Sequence, residues 1–181
     1  RIVNTFYGLS KIIQKEDNLL IFYAGHGFWD KNMGIGYWLP SDAKKEDRSA
    51  WLSNSTIRDF VSGIKSRHTL LMADACFSGG IFKTRNAFKA ESTAIRELYN
   101  LNSRKAITSG TLSVVPDKSI FADYFIKRLK ENKKAYISSH EIYAKFRMAV
   151  INNSPTRQVP QYGTIHGSGD EGGDFIFIKR N

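Results

Sequence analysis

Residues 19–27 read Leu-Leu-Ile-Phe-Tyr-Ala-Gly-His-Gly, an apolar run that ends in a turn of small residues. A second run of this kind, residues 69–80, reads Thr-Leu-Leu-Met-Ala-Asp-Ala-Cys-Phe-Ser-Gly-Gly. Apolar runs of this length, bounded by glycine, are typical of strands buried on both faces of a parallel sheet. If the two strands are parallel neighbours, both turns open at the same carboxyl edge, which is where ligands bind in open α/β sheets.

The length and composition predict one soluble domain. The chain has 181 residues, enough for a single domain with a substantial core, so we take residues 1–181 as one unit. No apolar stretch approaches the roughly 20 residues that a membrane span requires. The single cysteine excludes an internal disulfide and, with no secretory signal in the sequence, predicts a reducing compartment such as the cytoplasm.

The net charge of +10 raises the question of nucleic-acid binding. Lysine and arginine are scattered along the chain, however, and no basic and aromatic motif repeats. A solvated basic surface therefore explains the charge better, and a nucleic-acid-binding module is the less favoured alternative.

Strands alternate with amphipathic helices, which predicts an α/β fold with a mostly parallel sheet. Residues 87–99 are compatible with a helix, but we interpret the basic, weakly periodic residues 81–105 as a linker and residues 152–173 as a loop. An aromatic-rich loop or hairpin is expected over residues 28–43. The predicted strands are 19–24, 68–74, 106–109 and 175–178. The predicted helices are 2–15, one after the cap candidates Ser53–Thr56, one from Ser119, and one after the capping pair Ser138 and Glu141.

The two turns carry the residue types that thiol catalysis needs. A thiol attacks as thiolate, and a neighbouring histidine lowers the thiol pKa and later protonates the leaving amine, which are the roles that Cys76 and His26 would take. The N–H groups of Gly27 and Cys76 are candidates for an oxyanion hole. Asp74 would favour a cationic substrate side chain. The structural alternatives are a buried core cysteine, a structural histidine, and Asp74 as the cap of the following helix.

Both turns resemble known motifs. Tyr23-Ala24-Gly25-His26-Gly27 and Asp74-Ala75-Cys76-Phe77-Ser78-Gly79 resemble the histidine and cysteine motifs of caspase-like peptidases, in particular the bacterial, metacaspase-like orthocaspases. The cysteine follows the histidine by 50 residues, a separation of the size found in caspases. Further likeness lies in residues 36–43, 107–110, 161–163 and 172–175, so that the resemblance extends over nearly the whole chain.

This resemblance implies a caspase-like three-layer α/β/α sandwich and a role for each matching residue. His26 would be the general base and acid, and Cys76 the nucleophile, with Gly27 and Cys76 supplying the oxyanion-hole amides. Asp74 stands where metacaspase-like enzymes place the carboxylate of the S1 pocket, whereas caspases have glutamine, so cleavage after Arg or Lys is implied. Ser109 would line the same pocket.

The chain departs from the family at its beginning and in one loop. Family members have two more strands and a helix ahead of the histidine strand, and a further acidic S1 residue lies there. We therefore expect an upstream segment or a separate chain to complete the sheet, because an incomplete sheet has an exposed edge. The loop at residues 115–118 is also shorter than in relatives.

The favoured function is a self-processing cysteine endopeptidase that cuts proteins after Arg or Lys. The alternatives are a catalytically weak caspase-like adaptor or scaffold in a signalling or defence complex, and the nucleic-acid-binding module. No cofactor or metal is predicted, since no compact Asp/Glu cluster appears, although calcium activates some metacaspases. A regulatory partner domain is compatible with the resemblance. The candidate self-processing positions are Lys83, Arg85, Lys89, Arg96, Arg104 and Lys105.

Overall fold

A computed structural model describes residues 1–75, 82–83, 92–110 and 119–180, apart from the side chains of Lys83, Ser92 and Thr93. Within them, the helices are α1 (Ile2–Ile12), α2 (Asn54–Gly63), α3 (Ser92–Asn100), α4 (Ile120–Glu131) and α5 (Ser139–Asn153). The strands are β1 (Asn18–Ala24), β2 (His26–Asp30), β3 (Ile35–Leu39), β4 (Leu52–Ser53), β5 (His68–Asp74), β6 (Phe82–Lys83), β7 (Ser103–Thr108), β8 (Tyr136–Ser138), β9 (Gln161–Ile165) and β10 (Ile176–Ile178).

The two apolar runs form parallel neighbours in the central sheet. In the described chain this sheet has the order β1-β5-β7-β9-β6. Strands β1, β5 and β7 are parallel to one another, whereas β9 is antiparallel to β7 and β6 is antiparallel to β9. The predicted α/β fold with a mostly parallel sheet is therefore confirmed.

Helices cover both faces of the central sheet because the residues of β5 alternate between two cores. Leu71 and Ala73 belong to a cluster with side chains of α1 and α2. Leu70 and Met72 belong to a second cluster, which α4 and α5 complete. All four of these β5 side chains are fully buried, and full burial of a Leu or Met side chain stabilises the fold by about 1.5–3 kcal/mol.

Serine caps begin three of the helices where the sequence predicts helix starts. The hydroxyl oxygen of Ser53 accepts the N–H of Thr56 at α2, and that of Ser138 accepts the N–H of Glu141 at α5, each at 3.1 Å. The hydroxyl oxygen of Ser119 caps α4 in the same way. These contacts satisfy backbone donors that have no partner inside the helix.

The linker prediction was wrong over residues 92–105. Residues 92–100 form α3, and β7 begins at Ser103, so that Arg104 and Lys105 lie buried in the central sheet. Their charges suggested an exposed segment, but both side chains have polar partners inside the fold. The Arg104 guanidinium donates to the carbonyl oxygens of Arg67 and Ile64, and Lys105 Nζ lies 2.9 Å from a carboxylate oxygen of Asp170.

The loop prediction for residues 152–173 was wrong at residues 161–165, which form β9, whereas residues 154–160 and 166–173 lie outside the helices and strands. Gly163 in that strand lies against Phe82, where an added Cβ would be 2.7 Å from the ring. The glycine that suggested a loop is thus required by a close contact across β6 and β9. The predicted closing strand does form as β10, but it pairs with β8 in a separate two-stranded sheet.

The predicted hairpin over residues 28–43 corresponds to β2 and β3. These strands pair antiparallel, and β4 adds a third short strand beside β3. The hairpin follows β1 directly, so it lies at the carboxyl edge of the central sheet. Nowhere in the described residues is a helix both long enough and apolar enough to cross a membrane.

Candidate active site

The carboxyl ends of β1 and β5 lie side by side. The register pairs Ala24 with Asp74, the last residues of the two strands. The N–H of Gly25 donates to the carbonyl oxygen of Asp74 at 3.3 Å, and the N–H of Ser109, just after β7, donates to that of Ala73 at 3.0 Å. The three parallel strands therefore end at the same level, and the turn that precedes His26 is hydrogen-bonded to the end of β5.

His26 is the first residue of β2 and is exposed. Its backbone is fixed by Tyr23, because the hydroxyl of Tyr23 donates to the carbonyl oxygen of His26 at 2.7 Å. The same hydroxyl lies 3.1 Å from the carbonyl oxygen of Leu39. Burial raises the pKa of Tyr23. The hydroxyl thus remains a donor at neutral pH and ties the start of β2 to the end of β3.

Gly25 is required by this arrangement. A Cβ at that position would lie 2.8 Å from the hydroxyl oxygen of Tyr23 and 2.9 Å from the ring carbon that bears it. Because the hydroxyl is already bonded to two strands, the ring cannot move away freely. The glycine before His26 therefore lets the tyrosine lie directly beneath the turn.

Asp74 is the buried carboxylate of the site. It is 1% exposed, and the hydroxyl of Ser119 donates to its Oδ2. Its Oδ1 is buried without a hydrogen-bond partner in the described part of the chain. Because Ser119 is also the N-cap of α4, the carboxylate faces the positive end of that helix. A buried carboxylate with an open acceptor is suited to a cationic partner.

The remaining predicted site residues differ in how far the structure describes them. Ser109 is 1% exposed and lies directly after β7, at the same edge. Gly27 lies in β2 opposite Trp38. Cys76 lies outside the described residues, which stop at the buried Ala75 on this side. The structure thus brings His26, Asp74 and Ser109 to one edge, and the predictions for Cys76 as nucleophile and as oxyanion-hole donor stay predictions.

A cavity of about 1040 Å³ opens beside His26. It lies between the start of α1, the carboxyl end of β1 and the segment that joins β3 to β4. Phe28 and Trp51 form an aromatic part of its wall, with ring centroids 5.2 Å apart. Binding sites for small ligands are commonly about this size and largely apolar.

Ser119 and Trp51 were missed by reasoning from the sequence. The position of Ser119 before an amphipathic stretch predicted a helix start, but not its bond to Asp74, 45 residues away. Trp51 lies in a segment without a clear period, so nothing local indicated that it reaches the cavity. Within the described ranges, no group of three or more His, Cys, Asp or Glu side chains is placed to bind a metal ion.

Comparison with known proteins identifies the fold and no activity. No family model matches the chain, and no curated protein matches it. Among solved structures, the chain is similar to the crystal structure of protein GSU0716 from Geobacter sulfurreducens, with a TM-score of 0.57 and 19% sequence identity. The similarity covers 91% of this chain and 72% of that one. At this identity, the likeness concerns the α/β fold alone.

Proposed function

We propose that this chain is a caspase-like cysteine endopeptidase that cleaves proteins after Arg or Lys. The observation that carries the proposal is the register of β1 and β5, which ends both strands at one edge. His26 follows one strand end by two residues, and Cys76 follows the other by two residues. The resemblance of both turns to caspase-like motifs, and helices on both faces of the sheet, support the same assignment.

In the first half of the reaction, His26 takes the proton of the Cys76 thiol, and the thiolate attacks the carbonyl carbon of the scissile bond. The N–H groups of Gly27 and Cys76 stabilise the resulting oxyanion. When the tetrahedral intermediate collapses, the C–N bond breaks and His26 gives its proton to the leaving amine. The products of this half are a free amine and a thioester on Cys76.

In the second half, His26 removes a proton from a water molecule, which attacks the thioester carbonyl. Collapse of this intermediate breaks the C–S bond and releases a carboxylic acid, and Cys76 recovers its proton from His26. The exposure of His26 supports this role, because both the leaving amine and water must reach the imidazole.

Asp74 selects the basic residue that precedes the scissile bond. The hydroxyl of Ser119 holds Oδ2, so that the open acceptor Oδ1 is left for a guanidinium or ammonium group. Charge-assisted hydrogen bonds to a carboxylate are roughly twice as strong as neutral ones, and their strength grows in a buried site. The adjacent, buried Ser109 would contribute to the wall of the same pocket.

A further strand, from another part of the protein or from a separate chain, would pair with β1. Among the described strands β1 lies at one end of the sheet, and Leu20 and Phe22 are 44% and 49% exposed. An unpaired edge strand with exposed apolar side chains is a template for pairing. This supports the expectation that additional strands complete the sheet on that side.

The test uses internally quenched peptides with one cleavable bond, preceded by Arg, Lys or Asp. We expect kcat/KM for Arg and Lys to exceed that for Asp by about 100-fold or more, since a buried unpaired charge costs at least about 3 kcal/mol. Cys76→Ala should abolish cleavage while the circular dichroism spectrum stays unchanged. His26→Ala should lower the rate by about 10²–10⁴-fold.

Asp74→Ala separates substrate selection from thiol chemistry. This variant should still be alkylated at Cys76 by iodoacetamide, but it should lose the preference for basic residues. A strong preference for Arg in Asp74→Ala would exclude Asp74 as the S1 carboxylate. If wild type cleaves no peptide with a basic residue, the protease assignment is wrong and the scaffold alternative is favoured.

Self-processing belongs to the same proposal, with fewer candidate positions than the sequence suggested. Arg104 and Lys105 are buried in β7 and cannot enter an active site without unfolding the sheet. Arg85 and Lys89 remain the favoured positions, because Lys83 is paired in β6 and Arg96 lies in α3, so that cleavage at either would require local unfolding. Intact-mass spectrometry of wild type beside Cys76→Ala should show fragments ending at these residues in wild type only, and identical fragments in both would exclude self-processing.

A further inference from the structure

The cavity beside His26 has no role in the selection of the basic residue, because it lies on the other side of the sheet from Asp74. Alternation along β5 directs Asp74 to the same face as Leu70 and Met72, which pack against α4 and α5. The cavity instead lies against α1 and the ring of Tyr23, which belong to the opposite core. The ends of β1 and β5 separate these two spaces.

The chemistry of the proposed reaction distinguishes the two spaces. His26 protonates the leaving amine, so the part of the substrate that follows the scissile bond must lie on the histidine side. The basic residue that precedes the bond lies on the Asp74 side. A peptide that crosses the edge between Asp74 and His26 therefore continues into the cavity.

We propose, on the basis of the proposed function, that this cavity binds the side chain of the residue after the scissile bond and favours a large apolar or aromatic one. Phe28, Leu39 and Trp51 contribute apolar surface to its wall. The charged residues that border it, Arg1, Asp42, Lys44 and Lys45, are exposed to solvent. The interior of the cavity thus offers contact area for an apolar side chain, with charges restricted to the rim.

The aromatic wall is held in place and does not depend on the substrate. The indole N–H of Trp51 donates to the carbonyl oxygen of Lys44 at 2.9 Å, and the ring of Tyr37 lies edge-on at 5.7 Å. The guanidinium of Arg48 lies 5.0 Å from the Trp51 ring and is itself paired with Asp30 at 2.9 Å. A rigid aromatic surface selects among side chains at a small entropic cost.

The test compares internally quenched peptides with Arg before the scissile bond and Phe, Leu, Ser, Glu or Gly after it. In wild type, we expect kcat/KM for Phe and Leu to exceed that for Gly by about tenfold or more. In Trp51→Ala and in Phe28→Ala, the ratio of Phe to Gly should fall toward one. Tyr136→Ala removes an exposed aromatic side chain that does not line the cavity, and it should keep the wild-type ratio.

The outcomes separate this inference from the function on which it rests. Cleavage after Arg with equal rates for Phe and Gly in wild type would overturn the role of the cavity and leave the protease assignment intact. A wild-type preference that survives both wall variants would place the selecting surface elsewhere. Absence of cleavage after any basic residue would overturn both. If Trp51→Ala does not fold, Trp51→Leu and Phe28→Ala provide the same comparison.

Discussion

Ser119 joins two functions at the scale of a single residue. Its oxygen accepts a hydrogen bond from the N–H of Ala122 at the start of α4, and its hydroxyl donates a hydrogen bond to the carboxylate of Asp74. Ser53 caps α2 with the same geometry, and in the described part of the chain its hydroxyl bonds only to Ser55 and Thr56. The two serines therefore form a matched pair, because only one of them orients the buried carboxylate.

We predict that Ser53→Ala lowers the free energy of unfolding by about 1 kcal/mol, the usual value of an N-cap, and that Ser119→Ala lowers it by more, because the buried carboxylate of Asp74 also loses a donor. Only Ser119→Ala should also raise KM for peptides with Arg before the scissile bond, with a smaller effect on kcat, because Asp74 loses its orientation. Urea unfolding and steady-state kinetics measure the two effects. Equal kinetics in both variants would show that Ser119 is a cap alone.

At the scale of elements, His68 connects the start of β5 to α3. Its ring is buried, Nε2 lies 3.0 Å from the carbonyl oxygen of Tyr99, and Nδ1 lies 3.0 Å from the hydroxyl of Ser103. Because a carbonyl only accepts, Nε2 carries the proton and Nδ1 accepts from the serine. Burial lowers the pKa of His68, and the nearby charges of Arg67 and Arg104 lower it further.

This burial predicts a loss of stability in mild acid. In the unfolded chain histidine titrates near 6.5, whereas in the folded protein it stays neutral to lower pH. The stability is therefore fully present above the unfolded pKa and falls as the pH drops toward the lowered folded pKa. Urea unfolding between pH 7.5 and 5 should show this slope. His68→Gln should reduce the slope, and His166→Gln, at an exposed position, should leave it unchanged.

The free edge of β1 makes a second prediction at the scale of elements. Phe22 is exposed on β1, which among the described strands has no partner on its outer side, so we expect this chain by itself to associate as its concentration rises. Phe22→Lys should reduce the association, because a charged side chain on an edge strand opposes pairing. Ile126→Lys, at a comparably exposed position on α4, should not reduce it. Sedimentation velocity over a range of concentrations measures both, and equal association in wild type and Phe22→Lys would exclude the edge as the contact.

At the scale of the whole molecule, the segment after β9 connects β7 and α3 through polar contacts. Asp170 accepts the N–H of Arg104 at 2.8 Å and lies 2.9 Å from Lys105 Nζ, and both partners of this ion pair are about nine-tenths buried. The N–H of Asp174 donates to the carbonyl oxygen of Leu98 in α3. These contacts hold residues 92–105, which the sequence suggested were a linker, inside the fold.

Asp170→Asn should therefore destabilise the protein strongly. Removing one partner of a buried ion pair leaves the charge of Lys105 uncompensated, which typically costs about 3–5 kcal/mol. Asp59→Asn breaks the exposed pair with Arg58 and should cost less than about 1 kcal/mol. Urea unfolding of the two variants measures the difference, and similar midpoints would show that the Asp170 pair is not important for stability.

The strands β1 and β5 and the serine-capped helices were predictable from the sequence by itself. Apolar runs bounded by glycine and serine caps before amphipathic stretches depend on neighbours within a few residues, so the pattern and the structure agree there. The position of His26 and Asp74 at the carboxyl edge was predictable for the same reason, since Asp74 ends one run and His26 follows the other after one glycine.

Only the tertiary structure decided which distant groups meet. Arg104 and Lys105 can be buried in a strand because the first donates hydrogen bonds to carbonyl oxygens and the second pairs with Asp170. Gly163 lies in a strand because Phe82 packs against it. The contact of Ser119 with Asp74 likewise joins positions 45 residues apart. The periodicity of a short stretch of sequence does not indicate these distant partners. The free energy that places such residues comes from contacts that exist only after the chain has folded.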